Sequence, residues 1–427
     1  MLSFKIRIFM RCSIITIGTE ITKGFILDSN SNFLSKQLGI IGVDVRFILS
    51  VGDNKKEILD VLKFAYENTD LIITTGGLGP TADDLTRDCV SEFFGVEFVL
   101  SESILESIKQ KFRKYTNMEM PEINVRQAYV PKGGIIIENS VGSAPGYIIR
   151  KENKTLVSLP GVPQEMKTMF NDFLKGYISD HILKRDKREF FLKVLGMPES
   201  KLDEIISQLG MEYNTIADYG VVDAIFYFRN DEFDEAKSKV KSFLTDKLSD
   251  SDVVFFFSDD LEDIPSFVKK EFLSKGIKLS TAESMTGGYL SQMLTSVPGA
   301  TEYFLGGVVS YSDASKISVL KVKEETIKNY FATSLETTIE MAKNSLEIFQ
   351  SDMSIAITGI AGPGTDSSKK EIGTVYIVAM MKNGKYLSKE LKLFGNREKI
   401  RSSASLKAVE LAIKLIRLES KNENSGV

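Results

Sequence analysis

Short apolar runs alternate with amphipathic segments along residues 12–173, and this alternation most constrains the fold of the chain. Apolar runs predict buried strands, whereas capped amphipathic segments predict helices. The order is strand, helix, strand, helix, strand, at residues 13–17, 28–38, 43–50, 53–68 and 71–75, with Asp53 as the expected cap of the second helix. A βαβαβ order predicts an α/β fold with a mostly parallel sheet that binds ligands at the carboxyl ends of its strands.

The pattern changes after residue 175. A small α+β middle domain, of a KH-like kind, is predicted from strands at 188–195, 221–228 and 253–257 and helices at 198–209 and 231–248. A second α/β region, in three layers, is predicted from strands at 278–280, 306–310, 353–357 and 373–381 and a helix at 335–349. We therefore predict three domains, at residues 11–175, 176–258 and 262–420.

Composition excludes several classes of function. Lys and Arg total 54 against 58 Asp and Glu, so the net charge of −4 argues against nucleic-acid binding. Cys12 and Cys89 are the only cysteines, which favours a reduced, cytoplasmic setting without a disulfide framework. With His181 as the single histidine, zinc is disfavoured, and any metal should be a hard cation on carboxylates. We expect no signal peptide, with Met10 a credible start, and no membrane span.

The segment TAESMTGG, residues 281–288, lies between an apolar run and a helix-compatible run, which indicates a strand, a turn and a helix. A serine on such a turn can be a nucleophile if a base is near. Because the chain has one histidine, Lys316 in the segment YSDASK, residues 311–316, is the obvious substitute for it. The alternatives are that Ser284 caps the following helix and that Lys316 is solvated.

The segment TTGGLGPTADDLT, residues 74–86, follows a strand and opens a helix. Its glycines let backbone amides approach a phosphate, but its paired Asp83 and Asp84 would repel one unless a divalent cation such as Mg²⁺ lies between them. Asp53 ends another strand on the same sheet edge. This pattern predicts a nucleotide or phosphate site with a metal. The alternative is an ordinary glycine turn in which an aspartate caps the helix.

The first region resembles the molybdopterin-binding, MogA-like domain of CinA proteins. The resemblance rests on the segments GTE at 18–20, VGD at 51–53, GGLGPTADDLT at 76–86 and LPGVPQEM at 159–166. It implies a metal-dependent ADP-ribose pyrophosphatase. Asp53 and Asp84 are then candidate metal or catalytic residues, with Asp83 and Glu20 weaker, and the implied substrate-binding glycines are Gly76, Gly77 and Gly79. The alternative is a scaffold that binds a nucleotide without hydrolysing it.

The third region resembles the CinA C-terminal domain, which also occurs alone as nicotinamide mononucleotide (NMN) deamidase. The resemblance rests on TAESMTGG, on YSDASK, on TGIAGPG at 358–364 and on FGNRE at 394–398, with Arg401 one helical turn later. It implies hydrolysis of NMN to nicotinic acid mononucleotide and ammonia, without a cofactor. Ser284 would attack the carboxamide, Lys316 would take its proton and Tyr311 would relay or orient.

Further residues of the third region are implied to bind the substrate. Backbone amides around Thr286, Gly287 and Gly288 would stabilise the oxyanion, Arg397 would hold the phosphate, and the nucleotide would be lined by Thr358, Gly359 and Gly362. The chain departs from the family in having Met285 where cysteine is usual, and in lacking a glycine and a proline within residues 365–371.

The resemblance also implies a homodimer. The rival class of function is a non-enzymatic pterin or nucleotide-binding module, or a partner in competence or DNA-damage responses.

Overall fold

A computed structural model of the 427-residue chain describes residues 10–181, 187–218, 220–249, 251–259 and 262–424. The start of the chain, where a leader was considered, lies outside the described residues. The chain divides into two compact units, Met1–Arg188 and Glu189–Val427. Within the described part, no helix combines the length and apolar character needed to cross a membrane.

The first unit is built on a six-stranded sheet of order β2-β1-β3-β8-β7-β6. Four neighbouring strands, β2, β1, β3 and β8, run parallel, and β7 and β6 are antiparallel at one edge. A separate pair, β4 and β5, is antiparallel. The strands are β1 Arg11–Ile17, β2 Asp44–Val51, β3 Leu71–Thr75, β4 Phe98–Leu100, β5 Tyr129–Pro131, β6 Ile135–Ile137, β7 Gly146–Lys151 and β8 Lys154–Leu159. The predicted mostly parallel α/β fold is confirmed.

Helices cover both faces of this sheet because successive strand residues point to opposite sides. Ile14 packs in a cluster with Leu34 of α2, whereas the adjacent Ile15 packs in a second cluster with Leu62 of α3. The helices are α1 Thr19–Thr22, α2 Ser29–Ile40, α3 Lys55–Asn68, α4 Thr86–Phe94, α5 Glu102–Thr116, α6 Pro163–Met169 and α7 Lys175–His181, with 3-10 turns at Glu122–Ala128 and a π-helical segment at Phe170–Leu174.

One predicted helix cap is wrong. Helix α3 begins at Lys55, and the side chain of Asn54 accepts a hydrogen bond of 3.2 Å from the N–H of Glu57. Asp53 instead accepts a bond of 2.8 Å from the N–H of Thr19. Either polar residue suits a helix N-terminus, and the competing donor on α1 decides between them. Asp53 is therefore at the carboxyl edge of the sheet, as predicted, but with a different partner.

The second unit contains a four-stranded sheet of order β10-β11-β9-β12, whose strands are β9 Lys187–Leu195, β10 Tyr213–Asp218, β11 Val221–Arg229 and β12 Val254–Ser258. Helices α8 Glu199–Ser207 and α9 Phe233–Ser249 pack on it through Leu202 and Leu244. Strand β10 was not predicted because it is an exposed edge strand whose composition is mostly polar. These elements correspond to the predicted α+β middle domain.

A five-stranded sheet of order β14-β13-β15-β16-β17 forms the rest of the second unit. Strands β14, β13 and β15 are parallel, and β16 and β17 are antiparallel. The strands are β13 Leu279–Glu283, β14 Phe304–Val309, β15 Met353–Gly359, β16 Thr374–Met381 and β17 Tyr386–Lys392. Helices lie on both faces: α10 Ile264–Ser274, α11 Tyr289–Thr295, α12 Asp313–Ser318, α13 Glu324–Tyr330, α14 Leu335–Phe349 and α15 Arg397–Asn424. Strand β13 extends to Glu283, beyond its predicted end at Ser280.

The two sheets of the second unit share one hydrophobic cluster. The ring of Phe256 on β12 stacks on that of Phe267 on α10, with centroids 3.9 Å apart. The division of the chain into three domains stays a prediction, since the middle and third regions pack as one compact unit.

Candidate functional sites

Ser284 follows the last residue of the central strand β13, where the chain turns towards α11. Its N–H donates a hydrogen bond of 2.9 Å to the carbonyl of Ile357 on the neighbouring β15. Parallel pairing of β13 with β14 and β15 brings the segments that follow these three strands to one sheet edge. Ser284 is 6% exposed. This arrangement fixes its hydroxyl among residues that are distant in the sequence.

Lys316 meets Ser284 at this edge. Lys316 Nζ lies 3.0 Å from Ser284 Oγ and 3.0 Å from the carbonyl oxygen of Ser310. It also lies 3.4 Å from the carbonyl oxygen of Tyr311. Only 1% of Lys316 is exposed. The predicted pairing of Ser284 with Lys316 is therefore present as a direct contact.

Burial makes this lysine unusually able to be neutral. Removal from water lowers the pKa of Lys316 below its ordinary value of 10.5, and the charges of Asp313 and Asp366 oppose that shift. A neutral amine has two N–H donors and one lone pair. The carbonyls of Ser310 and Tyr311 can only accept, so they take the two N–H groups. When Lys316 is neutral, its lone pair is then left for the hydroxyl of Ser284, which is the orientation that a general base needs.

Glu283 modifies the expected role of the turn. Its side chain is fully buried and accepts bonds of 3.0 Å from the N–H of Gly288 and 3.1 Å from that of Leu290. It also accepts from the N–H and hydroxyl of Ser291, at 2.8 and 2.6 Å. The start of α11 is therefore capped by the chain itself, a stabilising position for a carboxylate. The expectation that the amide of Gly288 faces an oxyanion is not met in this arrangement.

The amide of Gly287, also expected to face the oxyanion, is likewise bonded within the chain, whereas those of Met285 and Thr286 have no partner among the described residues. The N–H of Gly287 donates to the carbonyl of Ser284 at 3.0 Å. Those of Met285 and Thr286 make no hydrogen bond within the described residues. Both residues are buried beside Ser284, so these are the two amide donors of the turn that the described residues leave unpaired. Gly287 and Gly288 have φ of 60° and 91°, a conformation that glycine adopts without strain.

Arg397 and Tyr311 lie together at the rim of the site. Arg397 donates from Nη1 to the carbonyl of Gly362 at 2.6 Å and from Nη2 to the hydroxyl of Tyr311 at 2.6 Å. Tyr311 is 58% exposed, and in this arrangement its hydroxyl bonds Arg397. Its backbone carbonyl, at 3.4 Å, is the part of Tyr311 bonded to Lys316. Arg401 is also placed by a backbone contact, because it donates 2.6 and 3.1 Å bonds to the carbonyl of Thr286.

Thr358 and the glycines after it form the third segment at this sheet edge, after the serine turn and the YSDASK segment at 311–316. Thr358 is buried, and its hydroxyl donates to the carbonyl of Ala332 at 3.0 Å. A Cβ on Gly359 would lie 2.6 Å from the carbonyl oxygen of Thr374, so only glycine fits there. Gly362 has φ of 81°. The parallel pairing of β15 with β13 places the TGIAGPG loop at the same sheet edge as the serine turn.

The loop after Gly364, which departs from the family pattern, has its own internal bonds. Asp366 accepts from the hydroxyl of Thr333 at 2.5 Å and from the N–H of Ser368 at 2.9 Å. Burial alone would raise the pKa of Asp366, but hydrogen bonds from Ser368 and Thr333 hold it below its usual value. Lys370 donates to the carbonyl of Thr333 and to the hydroxyl of Tyr376, both at 2.8 Å. The altered loop is therefore held by hydrogen bonds within itself and to Thr333 and Tyr376.

We call the group formed by Ser284, Lys316, the 284–288 turn and Arg397 the serine site. Sequence reasoning missed two of its supporting residues, Glu283 and Asp366. The available signal for Glu283 was a carboxylate just before a glycine turn that opens a helix, which is a capping pattern.

The first unit has a cavity of about 680 Å³ at the carboxyl edge of its sheet, which we call the acidic cavity. It collects segments that follow β1, β2, β3 and β8. Every candidate site residue of the first region lines it: Glu20, Asp53, Gly76, Gly77, Gly79, Asp83 and Asp84. Asp28 and Glu165 also line it and were missed as site residues, although Asp28 was expected to begin a helix.

Asp84 braces the glycine loop. Its carboxylate accepts bonds of 2.8 Å from the N–H groups of Gly79 and Thr81, and one of 2.6 Å from the hydroxyl of Thr81. A Cβ on Gly79 would lie 2.5 Å from Asp84 Oδ2. Gly76 and Gly77 have φ of 104° and 65°. The loop therefore depends on glycine and on Asp84, whose oxygens are already engaged.

The charge of the acidic cavity is one-sided. Its lining includes the six carboxylates named above, of Glu20, Asp28, Asp53, Asp83, Asp84 and Glu165, and no Lys, Arg or His. The side-chain carboxylates of Glu20 and Asp83 make no hydrogen bond to the described residues, and both residues are exposed. Among the described residues, no three Asp, Glu, His or Cys side chains are grouped closely enough to hold a metal ion.

Two family models match separate parts of the chain. The family model described as CinA C-terminal domain matches residues 261–416, and the model described as "Probable molybdopterin binding domain" matches residues 13–180. A crystal structure of the CinA protein of unknown function from Thermoplasma acidophilum is 34% identical, covering 39% of this chain and 98% of that one, with a TM-score of 0.36.

Relatives also match over nearly the full length. A protein of Caldicellulosiruptor saccharolyticus named as competence-damage inducible is 36% identical over 423 residues, covering 95% of this chain and 99% of the relative. One from Acetivibrio thermocellus, named likewise, is 38% identical over 407 residues, covering 94% and 98%. Because long matches at this identity span both regions that carry the sites, the chain belongs to the CinA family of competence-damage inducible proteins.

Proposed function

We propose that the serine site hydrolyses the carboxamide of NMN, giving nicotinic acid mononucleotide and ammonia. The observation that carries the proposal is the buried contact of 3.0 Å between Lys316 Nζ and Ser284 Oγ. A hydroxyl paired with a desolvated amine is an activated nucleophile. The choice of NMN rests on the resemblance of this region to a domain that occurs alone as NMN deamidase.

The reaction proceeds in two halves. Ser284 Oγ attacks the carboxamide carbon while its proton moves to Lys316 Nζ. The lysine ammonium then gives that proton to the amide nitrogen, the C–N bond breaks, ammonia leaves and an ester remains on Ser284. Lys316, neutral again, takes a proton from water as the water oxygen attacks the ester carbon. The proton returns to Ser284 Oγ, and the carboxylic acid is released.

The surrounding groups stabilise the charges of this reaction. The free N–H groups of Met285 and Thr286 lie next to Ser284 and are the donors that we assign to the oxyanion. Arg397 uses two of its donor atoms on Gly362 and Tyr311, and a guanidinium carries five N–H groups. Its remaining donors are the partner that we propose for the NMN phosphate.

Replacement of the nucleophile tests this proposal. Ser284→Ala should reduce ammonia release from NMN by at least about a thousandfold, as removal of a catalytic serine does in other hydrolases. Ser296→Ala, at the end of α11, is the matched control and should keep full activity. Wild-type protein that releases no ammonia from NMN, or an Ser284→Ala variant with an unchanged rate, would contradict the proposal.

A second candidate function belongs to the acidic cavity: hydrolysis of ADP-ribose to AMP and ribose 5-phosphate with a divalent metal. The observation that favours it is a glycine loop that can approach phosphate, in a cavity lined by six carboxylates and no basic side chain. Such a lining repels a pyrophosphate that arrives without cations. Magnesium commonly binds through one or two carboxylates together with substrate phosphates, so it does not need a group of three ligands, which the described residues do not contain.

Asp53 and Asp83 are the side chains that we assign to holding the metal. Asp53 has one oxygen bonded to the N–H of Thr19, which leaves the other available, and Asp83 has both available. The metal supplies neutralisation of the pyrophosphate charge. Asp84 positions the glycine loop that receives the phosphates.

Conservative variants separate these roles. Asp53→Asn and Asp83→Asn should raise the magnesium concentration needed for half-maximal AMP release, because each removes a charge from the metal site. Asp84→Asn should lower the rate at every magnesium concentration, because it weakens the loop. Asp172→Asn, at an exposed position of the same unit, is the control. An unaltered rate in all three cavity variants would rule out this site.

A non-enzymatic binding module is the rival. It predicts that NMN, ADP-ribose or a pterin raises the melting temperature without being consumed. A thermal-shift series followed by a turnover assay on each ligand that binds separates binding from catalysis.

A further inference from the structure

The acidic cavity has an apolar wall that neither phosphate nor metal binding requires. Ile26, Leu27 and Val162 line it, and their exposed fractions are 58%, 87% and 53%. Leu27 is the most exposed large hydrophobic residue in the described part of the chain. Exposed apolar side chains that gather on one cavity, rather than lying singly over the surface, are a feature of ligand-binding grooves.

The apolar wall is held in place by hydrogen bonds. Ile26 and Leu27 lie between α1 and α2, and Val162 lies between β8 and α6. The N–H of Ile26 donates to the carbonyl of Glu20 at 3.2 Å, and the carbonyl of Leu27 accepts from the N–H of Ser29 at 2.8 Å. The exposed side chains are therefore carried on a folded segment.

Asn30 joins the two apolar segments to the sheet. Its side-chain amide donates to the carbonyl of Gly161 at 2.8 Å and to the hydroxyl of Thr75 at 2.9 Å. Thr75 donates in turn to the carbonyl of Pro160 at 2.9 Å. The segment that carries Leu27 and the segment that carries Val162 thus meet at the strand that leads into the glycine loop.

The cavity therefore has two kinds of lining. The glycine loop and the carboxylates suit a metal-bound pyrophosphate, whereas the apolar wall suits a planar ring. Its volume of about 680 Å³ lies within the range of sites that enclose a small organic ligand, about 300–1,000 Å³. Inorganic phosphate or a sugar phosphate has no apolar group to place on the wall. A nucleotide has both parts.

We propose that Ile26, Leu27 and Val162 form the subsite for the adenine ring, and that this subsite makes the cavity select nucleotides over other pyrophosphates. The proposal deepens the proposed ADP-ribose hydrolysis and rests on it for the identity of the ligand. The ring packs on the apolar side chains, while the phosphates lie on the glycine loop.

Binding measurements on the full chain test the subsite. Isothermal titration with magnesium present should compare AMP, ADP-ribose and inorganic pyrophosphate as probes. Leu27→Ser and Val162→Ser should each weaken AMP and ADP-ribose by about tenfold, and should leave pyrophosphate unchanged, because only the ring contact is lost. Phe25→Ser is the matched control: Phe25 is 78% exposed and adjacent, but does not line the cavity.

The outcomes separate the subsite from the hydrolase. If wild-type protein binds AMP and Leu27→Ser weakens it selectively, the subsite stands even where no ADP-ribose is hydrolysed. If ADP-ribose is hydrolysed but Leu27→Ser and Val162→Ser leave its KM and the affinity for AMP unchanged, the subsite is wrong and the hydrolase remains. Wild-type protein that binds neither nucleotide overturns the subsite. The subsite is also overturned if Leu27→Ser weakens pyrophosphate binding as much as AMP binding. It is overturned as well if the wild-type protein is a dimer and both Phe25→Ser and Leu27→Ser reduce its mass in solution to that of a monomer, because the apolar wall would then be a contact between subunits.

Discussion

The serine site encloses its reactive groups, whereas the acidic cavity leaves several of its charged groups exposed. Ser284 and Lys316 are 6% and 1% exposed and already lie in hydrogen-bonding contact. Glu20 and Asp83, by contrast, are exposed carboxylates that make no hydrogen bond to the described residues. Both sites lie at the carboxyl edge of an α/β sheet, where such folds generally bind ligands.

The difference teaches that similar sheets can support chemistry in two ways. In the reaction that we propose for the serine site, the chain supplies both nucleophile and base, and burial lowers the pKa of the base. In the acidic cavity the chain supplies only negative charge. The proposed reaction therefore needs a divalent cation to neutralise the negative charge of the pyrophosphate substrate. On this proposal the first site needs no metal, whereas the second needs the cation and substrate that it binds.

After loss of the nucleophile itself, the largest expected effect comes from removing the proposed base of the serine site. Lys316→Met should lower NMN deamidation by about 10²–10⁴-fold, the usual contribution of a general base. Lys316→Arg should not restore it, because a guanidinium does not lose its proton at neutral pH. Ammonia release measures both, and Lys343→Ala, on the exposed face of α14, is the control. Full activity in Lys316→Met would show that Lys316 is not the base, and the contrast between a serine site with its own base and a cavity that needs a cation would then fail.

The pH dependence of the same reaction follows from the lowered pKa of Lys316. Protonated lysine cannot act as a base, so the rate should be low in acid and should rise as pH increases through that pKa. Burial places this rise below the ordinary lysine value of 10.5. A rate of NMN deamidation that falls with increasing pH over this range is incompatible with Lys316 as the base.

Chelation should separate the two sites. EDTA should reduce AMP release from ADP-ribose by on the order of a hundredfold, because the metal contributes several kcal/mol of charge stabilisation. It should leave ammonia release from NMN unchanged in the same sample. If both activities fall together, the serine site is not complete within the chain.

A smaller effect is expected at the cap of the serine turn. Glu283→Gln keeps the size of the side chain but replaces one acceptor oxygen by a donor, which leaves an N–H at the start of α11 without its partner. We expect kcat for NMN to fall about tenfold, with little change in KM, because the turn that holds Ser284 loosens. Ser291→Ala, which removes one donor to the same carboxylate, should cost less. A larger change in KM than in kcat would assign Glu283 to substrate binding instead.

The smallest effect is expected in the altered loop. Asp366→Asn weakens the hydrogen bonds to Thr333 and Ser368. We expect KM for NMN to rise about threefold, because a less rigid loop positions the nucleotide less well. Ser367→Ala, exposed on the same loop, is the control. Steady-state kinetics with unchanged KM in both variants would show that the loop does not contact the substrate.

Much of the fold was predictable because the hydrophobic pattern and the caps agree with the tertiary structure. Strand β3 at Leu71–Thr75 and helix α14 at Leu335–Phe349 have their predicted bounds. The edge strands β10 and β17 were missed because each is largely exposed, so an apolar run does not mark it. The end of β13 was misplaced because Glu283, a charged residue, is buried by hydrogen bonds that become visible only in three dimensions.

The sites divide in the same way. The pairing of Ser284 with Lys316 followed from a shortage of histidine and from family motifs, and the sequence could supply both. The engagement of Asp84 by its own loop and the contact of Tyr311 with Arg397 depend on backbone paths between distant segments. Those contacts had no periodic or compositional signal.

The central claim, that Lys316 activates Ser284 to form an ester with the substrate, is tested most directly by trapping that ester. Hydroxylamine added to the reaction should divert the nicotinoyl group to a hydroxamate as NMN is consumed, and Ser284→Ala should form none. The yield of hydroxamate should rise with hydroxylamine while that of nicotinic acid mononucleotide falls. Ammonia release from NMN with no hydroxamate at any hydroxylamine concentration would contradict the account.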